Sequence, residues 1–272
     1  MKKIALFLAI VMLFGTVLAS CGEKESGGLT INVDNSAATT TSDTQLITGL
    51  LDESITIPSN VTKIAAVSPA AKIILEALGA GDMLVDASAG ADVVFADEAD
   101  AASYTDVPVV TIPLASSIAD INNLIRLAAK VSGKNAEELV SKVTNVMNVA
   151  QMGSSAYTTK FRVYLDLGEG KTVGSGTYIS EMLYASGLEN IATIDGFGEM
   201  SEEDVIAADP EFIFTVGSAD DYLNNAAFAG VSAVVNGYVY ELSADDIIYG
   251  SSNVSNAVSQ MYEKVSETRG DE

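Results

Sequence analysis

The sequence predicts an α/β fold of two lobes with mainly parallel sheets, joined by a long connecting helix. Short apolar runs of strand type alternate with helical patterns, which is typical of βα units around a parallel sheet. The strand-like runs fall into two series, and a helical stretch separates them. The chain has 272 residues, which is enough for two lobes of about 100 residues each.

The strand-like runs are short and rich in β-branched and aromatic residues, as expected for buried strands. The first series predicts three strands, at residues 64–67, 92–96 and 109–112. The second series predicts three more, at residues 162–167, 212–216 and 238–242.

Residues 116–152 between the two series predict the connecting helices. The pair Ser117 and Asp120 predicts a capping box at the start. Residues 132–134 interrupt the pattern, and Asn135 followed by Glu138 predicts a second helix start. In both predicted helices, apolar residues recur at the i, i+3, i+4, i+7 spacing of one helix face. In the first helix these are Ile118, Ile121, Leu124, Ile125, Ala128 and Val131.

The first 20 residues predict a signal peptide, because Lys2 and Lys3 precede an apolar run over residues 4–14. The alternative interpretation of these residues is a membrane-anchor helix, but the apolar run is short for a helix that spans a bilayer. Residues 18–21 resemble the lipobox of bacterial lipoproteins, which predicts lipidation of Cys21. Further domain boundaries follow from composition and pattern. We expect a flexible tether at residues 21–50, a shortened N-terminal lobe at 51–115 and a C-terminal lobe at 153–268.

Composition excludes several classes of function. The chain has 14 Lys and Arg residues against 37 Asp and Glu, a formal net charge of -23, and no His. Without an imidazole, neither a Ser-His-Asp triad nor a histidine metal site can form. The negative charge argues against nucleic acid as a partner, since binding requires Lys and Arg to neutralise phosphates. We therefore expect a protein that is not an enzyme and has no resident metal or cofactor.

Several segments in the same order resemble the helical-backbone substrate-binding proteins of ABC importers, which deliver cobalamin, haem or ferric siderophores. The first βα unit, at residues 63–82, carries much of the likeness. A predicted strand ends there at Ser68, which is predicted to cap a helix that has Pro69 in its first turn. The resemblance covers roughly residues 55–265. The other matching segments are residues 124–134, 174–183, 187–190, 200–214 and 233–240.

The resemblance implies a ligand cleft between the lobes and docking of both lobes onto a membrane permease. In relatives, one acidic residue on each lobe pairs with permease arginines. Glu203 stands at the matching place in the second lobe, with Glu202 beside it. In the first lobe that place holds Lys72, of opposite charge, although Glu76 one turn later lies on the same predicted helix face. An ordinary solvated helix face is the alternative for all of these docking residues.

Two serines and three tyrosines are the candidate ligand contacts. Ser68 and Ser175 lie at the two turns that face each other in the family. Tyrosine offers a flat apolar face and one hydroxyl, which suits a large planar or macrocyclic ligand, but half-buried packing is an equally good interpretation. Relatives often carry a Gly-Pro-Arg turn where this chain has residues 249–252, so an arginine for an anionic ligand is missing. The candidate tyrosines are Tyr104, Tyr178 and Tyr249.

Together these observations predict a substrate-binding protein that is lipid-anchored on the extracytoplasmic face of the cell membrane. Its expected partners are an ABC transporter permease, a ligand of the cobalamin, haem or ferric siderophore class, and the membrane through an N-terminal lipid. The alternative is a surface lipoprotein that keeps the fold but acts in adhesion, sensing or assembly. Lys72, the shortened first lobe and the missing arginine motivate this alternative.

Overall fold

The structure is a computed structural model that describes residues 43–86 and 88–270. The predicted signal peptide, Cys21 and most of the predicted tether lie outside these residues. The strands are β1 (Thr44–Thr48), β2 (Ser54–Pro58), β3 (Ile64–Ala66), β4 (Val93–Asp97), β5 (Val109–Ile112), β6 (Phe161–Asp166), β7 (Lys171–Val173), β8 (Leu188–Asn190), β9 (Phe197–Glu199), β10 (Phe212–Thr215) and β11 (Val239–Glu241).

A helix lies between each two consecutive strands of the parallel sheets, as the sequence pattern predicts. Short 3-10 turns also occur, at Gly81–Met83 and Ala226–Phe228. The α-helices are α1 (Pro69–Ala77), α2 (Glu98–Ala101), α3 (Ile118–Ser132), α4 (Glu137–Ser154), α5 (Tyr178–Ala185), α6 (Glu202–Ala208), α7 (Asp220–Leu223), α8 (Ser232–Asn236), α9 (Ala244–Ile247) and α10 (Val254–Gly270).

The first lobe contains a parallel sheet in the order β3-β4-β5. Its central strand β4 is apolar on both faces, with Val93 to Ala96 fully buried. This is the pattern that a parallel strand covered on both sides requires. The second lobe contains a parallel sheet in the order β11-β10-β6-β8. The predicted fold class of two βα lobes with mainly parallel sheets is therefore confirmed.

The connecting helices α3 and α4 are 15 and 18 residues long. Ser117 and Asp120 form the predicted capping box, with each side chain bonding the backbone of the other residue. Gly133, with φ 68°, ends α3 in the left-handed conformation that glycine adopts without strain. The second start lies one residue later than predicted: Ala136 is the N-cap, and the Asn135 side chain instead accepts a hydrogen bond from the Glu137 N–H.

An antiparallel hairpin of β1 and β2 precedes the first lobe. Residues 44–50 were predicted to belong to the flexible tether, and that prediction is wrong for them. Ile47, Ile55 and Ile57 alternate along the hairpin and are buried in the main core, which orders the segment. The tether prediction failed because most residues around this short strand are small and polar.

One continuous cluster of buried apolar side chains runs through both lobes and the connecting helices, from Ile47 to Val265. Because protein cores are close-packed, the shared cluster resists large movements of one lobe against the other. Within residues 43–86 and 88–270, no helix combines the length and the apolar character needed to cross a bilayer.

Candidate functional site

A cavity of about 790 Å³ opens at the carboxyl ends of the first-lobe strands. Parallel strands commonly present their ligands at this edge, because the loops that follow them converge there. Ser68 follows β3, Asp97 ends β4, and Pro113 follows β5. All three residues line the cavity, as do the first turns of α1 and α3. The volume lies within the range of roughly 300 to 1,000 Å³ of small-molecule sites.

Ser68 occupies the N-cap position of α1, as predicted, with Pro69 as the first helical residue. Its hydroxyl, however, accepts no hydrogen bond from the helix. The side chain is buried at 1% exposure, and Oγ has no hydrogen-bond partner. A buried hydroxyl without a partner carries a desolvation cost that a ligand atom in the cavity can remove. Ser68 is thus a polar group poised for a ligand, and its predicted role as a capping side chain is wrong.

The second lobe forms one wall of the cavity through Tyr178, Ile248, Tyr249 and Gly250. Tyr178 is fully buried, and its single hydroxyl proton makes a three-centre hydrogen bond with the carbonyl oxygens of Ile247 and Ile248, at O···O distances of 2.6 and 2.8 Å. Burial raises the pKa of Tyr178 far above its ordinary value, so the hydroxyl stays protonated. It therefore holds the segment that carries Tyr249, and the fully buried Tyr178 side chain supports the cavity wall.

Tyr249 is 39% exposed at the cavity, and on the first-lobe side Leu114 is 72% exposed. An exposed leucine and an exposed tyrosine at one opening make an apolar rim, which suits a ligand with an apolar face. Leu50, in the hairpin turn, adds a third apolar side chain to the lining.

Asp120 contributes a carboxylate to the cavity wall at the start of α3. It accepts hydrogen bonds from Ser116 N, Ser116 Oγ and Ser117 N at 2.8 to 3.0 Å. Burial acts to raise the pKa of Asp120, but these hydrogen bonds outweigh it and hold the pKa below its ordinary value. The group is therefore a fixed negative charge at neutral pH.

Two of the predicted ligand contacts do not reach this cavity. Tyr104 packs with Val94 and Ala96 on the opposite face of the first sheet, because alternate residues of β4 point to opposite faces. Ser175 lies exposed in the turn before α5, where its hydroxyl hydrogen-bonds the carboxylate of Asp195. The expectation that these two residues share one site with Ser68 is therefore corrected.

Sequence reasoning missed Leu50, Leu114 and Asp120 as cavity residues. Leu50 fell within the segment assigned to the tether, and Asp120 was explained fully by its capping role. A usable signal existed for Leu114, because it directly follows β5 and residues after parallel strands face the ligand edge.

The four predicted docking residues are all exposed. Lys72 and Glu76 lie one turn apart on α1, while Glu202 and Glu203 begin α6. Their exposure is compatible with docking and equally with a solvated helix face. Among the described residues, no group of three or more Cys, Asp or Glu side chains has the geometry to hold a metal ion.

Residues 82–245 match the family model described as "Periplasmic binding protein". The chain belongs to this family. The predicted family is thereby confirmed, and its members are binding proteins that act outside the cytoplasm. A curated relative, the cobalamin-binding protein of Halobacterium salinarum, is 38% identical over 85 residues. That match spans 29% of this chain and only 23% of the relative.

Solved structures of family members share the fold at low sequence identity. Helicobacter pylori CeuE, in a nickel–histidine complex, has a TM-score of 0.70 at 18% identity, over 81% of this chain and 88% of its own. The vitamin B12-binding protein BtuF of Vibrio cholerae has a TM-score of 0.62 at 19% identity, over 77% and 98%. Haemophilus influenzae MolA, bound to molybdate, has a TM-score of 0.67 at 18% identity, over 82% and 93%. At these identities the likeness establishes the fold alone.

Proposed function

We propose that this protein is the lipid-anchored, extracytoplasmic substrate-binding protein of an ABC importer. It captures a cobalamin-, haem- or siderophore-like ligand between its lobes and delivers it to a membrane permease. The observation that carries the proposal is the cavity of about 790 Å³, which both lobes line and whose wall includes Ser68, a buried serine with an unpartnered hydroxyl.

The composition of the cavity supports a ligand with a broad apolar face. Leu50, Leu114 and Tyr249 offer apolar contact at the opening, and Ser68 supplies one hydrogen-bonding group deeper inside. Apolar walls with a few placed polar groups are the usual composition of small-molecule sites. A large macrocycle fits this description better than a small polar solute.

We assign permease docking to the exposed acidic residues Glu202 and Glu203 on the second lobe and to Glu76 on the first. Exposed charges of this kind steer association and fix orientation more than they add affinity. Lys72, beside Glu76, requires a permease surface that differs between the two lobes. The lipid on Cys21 would hold the protein at the membrane, where its permease lies.

The second candidate is a surface lipoprotein that retains the fold without transport. The specific observation in its favour is Lys72, whose exposed positive charge opposes the docking pattern that the resemblance implies. Capture of an ABC permease from membranes of the source organism, weakened by Glu203→Lys, would support transport. Failure to capture a permease, together with no ligand, would favour this second candidate.

Ligand binding is tested with the full-length chain in a mild nonionic detergent, against cobalamins, haem and ferric siderophores. Binding to the folded state alone raises the free energy of unfolding, by about 2.7 kcal/mol at a ligand concentration of 100 times Kd. We therefore expect a saturable rise in Tm with one ligand class and a saturable heat of binding in a calorimetric titration with the same class. No response to any class would contradict the proposal.

Ser68→Ala tests the site itself. Because one hydrogen bond contributes about 0.5 to 1.5 kcal/mol, its loss should weaken binding about 2- to 10-fold. Stability without ligand should not fall, since the hydroxyl has no partner to lose. Ser186→Ala is the matched control, because Ser186 is equally buried but its hydroxyl bonds Met182 O within α5. Equal affinity of both variants for the ligand would remove Ser68 from the site.

A further inference from the structure

The side chains that line the cavity carry negative charge and no positive charge. Asp97, Glu98 and Asp120 contribute carboxylates. Within residues 43–86 and 88–270, no Lys or Arg lines the cavity. The missing arginine noted in the sequence is therefore not replaced by a cation from another element of the described chain.

The three carboxylates surround the first-lobe side of the opening. Asp97 ends β4 and stands at the N-cap of α2, but its side chain makes no capping hydrogen bond. Glu98 follows it and is exposed. Asp120 lines the same cavity from the start of α3, held ionised by its bonds to Ser116 and Ser117.

Helix N-termini at a cleft normally favour anions, and the starts of α1 and α3 both line this cavity. The start of α1 has no capping side chain and no acidic residue in its first turn. Its partial positive charge, about half an elementary charge, is smaller than the three full negative charges of the carboxylates. At the start of α3, three N–H groups are already bound by acidic side chains of this chain. Ser116 N and Ser117 N donate to Asp120, and Ile118 N donates to Glu181 of the second lobe at 2.9 Å. The carboxylates of Asp120 and Glu181 therefore already compensate the positive end of this helix.

The unpartnered Ser68 hydroxyl is an independent indication that a ligand enters here. It is 1% exposed, lines the same cavity and has no hydrogen-bond partner. A hydroxyl can donate or accept, so it serves an uncharged ligand as well as a charged one. The charge of the ligand is instead set by the carboxylates, because a cleft lined by one sign of charge concentrates ligands of the opposite sign.

We infer that this cavity takes a ligand of zero or positive net charge and rejects anionic ligands, with Asp97, Glu98 and Asp120 as the residues that determine this selectivity. The inference rests on the proposed function, because it specifies the ligand class of the same site. Among the proposed classes, it favours a macrocycle with uncharged amide groups or a cationic metal complex. It disfavours haem carboxylates and anionic ferric complexes.

The first test measures the charge of the cavity directly and needs no ligand. The chain contains no Trp, so Leu114→Trp places a single fluorescent reporter at the cavity opening. Met152→Trp is the matched control, because Met152 is 75% exposed on α4 and residues 144–159 carry no charge. Quenching of each reporter by caesium and by iodide is compared at constant ionic strength.

We expect the ratio of caesium to iodide quenching constants to be about two- to fivefold higher at Leu114→Trp than at the control, for one or two unit charges within about 10 Å at 0.1 M salt. Adding Asp97→Asn and Glu98→Gln should lower the ratio towards that of the control. Equal ratios at the two reporters would overturn the inference.

The second test uses cyanocobalamin and its analogue in which one peripheral amide is hydrolysed to a carboxylate. The two probes differ by a single negative charge at almost the same size. The full-length chain should bind the carboxylate about 5-fold more weakly, and Asp97→Asn with Glu98→Gln should narrow that difference. Equal binding of both probes would overturn charge selectivity while leaving the proposed function intact. Binding of no probe in the wider panel would refute the proposed function, and the reporter measurement would still decide the charge of the cavity.

Discussion

Tyr178→Phe tests whether this tyrosine supports the cavity wall or contacts the ligand through its hydroxyl. In the structure the hydroxyl donates to the carbonyl oxygens of Ile247 and Ile248, at the carboxyl end of α9. The last carbonyl groups of a helix have no partner within the helix, so Tyr178 satisfies a group that would otherwise be buried and unbonded. The substitution removes one oxygen atom and leaves the fully buried ring in place.

The expected loss in the free energy of unfolding is about 1 to 2 kcal/mol, because one buried hydrogen bond is lost and an acceptor is left without a partner. For a domain of this size that corresponds to a fall in Tm of about 2 to 8 °C. Thermal and urea unfolding followed by circular dichroism measure it. Tyr184→Phe is the control, since Tyr184 is 59% exposed and Lys160 contacts its ring face. A loss no larger than that of the control would refute the supporting role.

Two further predictions concern the walls of the cavity. Gly250→Ala and Gly79→Ala both place a side chain at positive φ, 61° and 73°, and each should cost about 1 to 2 kcal/mol in urea unfolding. Only Gly250→Ala should also change ligand affinity, since its methyl group would lie at the cavity wall. Equal ligand affinity in the two variants would contradict the placement of Gly250 at the cavity. The second prediction concerns Asp120, whose folded-state pKa lies below its ordinary value of 3.8. A lowered pKa stabilises the fold above the unfolded-state pKa, and this contribution disappears as pH falls through the folded-state value. The difference in free energy of unfolding between the wild type and Asp120→Asn should therefore be largest at neutral pH and shrink below about pH 4. A difference that grows on acidification, in unfolding measured from about pH 7 to pH 3, would contradict a lowered pKa of Asp120.

The parallel sheets could be predicted from the sequence because their strands are buried on both faces. The predicted strands at residues 92–96 and 212–216 contain the unbroken apolar runs 93–96 and 212–214, and the observed strands lie within one residue of the predicted positions. The hairpin and strands β7 to β9 escaped prediction, since they are short and lie among small or polar residues. Their order depends on contacts with distant segments, which a local pattern does not contain.

The candidate site was predictable only in part. Ser68 could be placed at the cavity because the strand-to-helix turn is visible in the sequence, and Tyr249 because of its position in the family resemblance. The position of Tyr104 could not be predicted, since the direction in which its side chain points depends on the conformation of the segment after β4. The free state of the Ser68 hydroxyl was also unpredictable, because a serine before a helix ordinarily caps it.

The close approach of Gly250 to Ala115 has a mechanical consequence. A methyl group built on Gly250 would lie 3.4 Å from the Ala115 side chain, so little free space separates the lobes at that point. Three residues after Ala115, the Ile118 N–H donates a hydrogen bond to the Glu181 carboxylate of the second lobe. Packed contacts resist compression, so the lobes cannot approach each other further at this point. Leu114 and Tyr249 are the chain neighbours of Ala115 and Gly250, so the distance between their backbones across the cavity opening is held nearly constant.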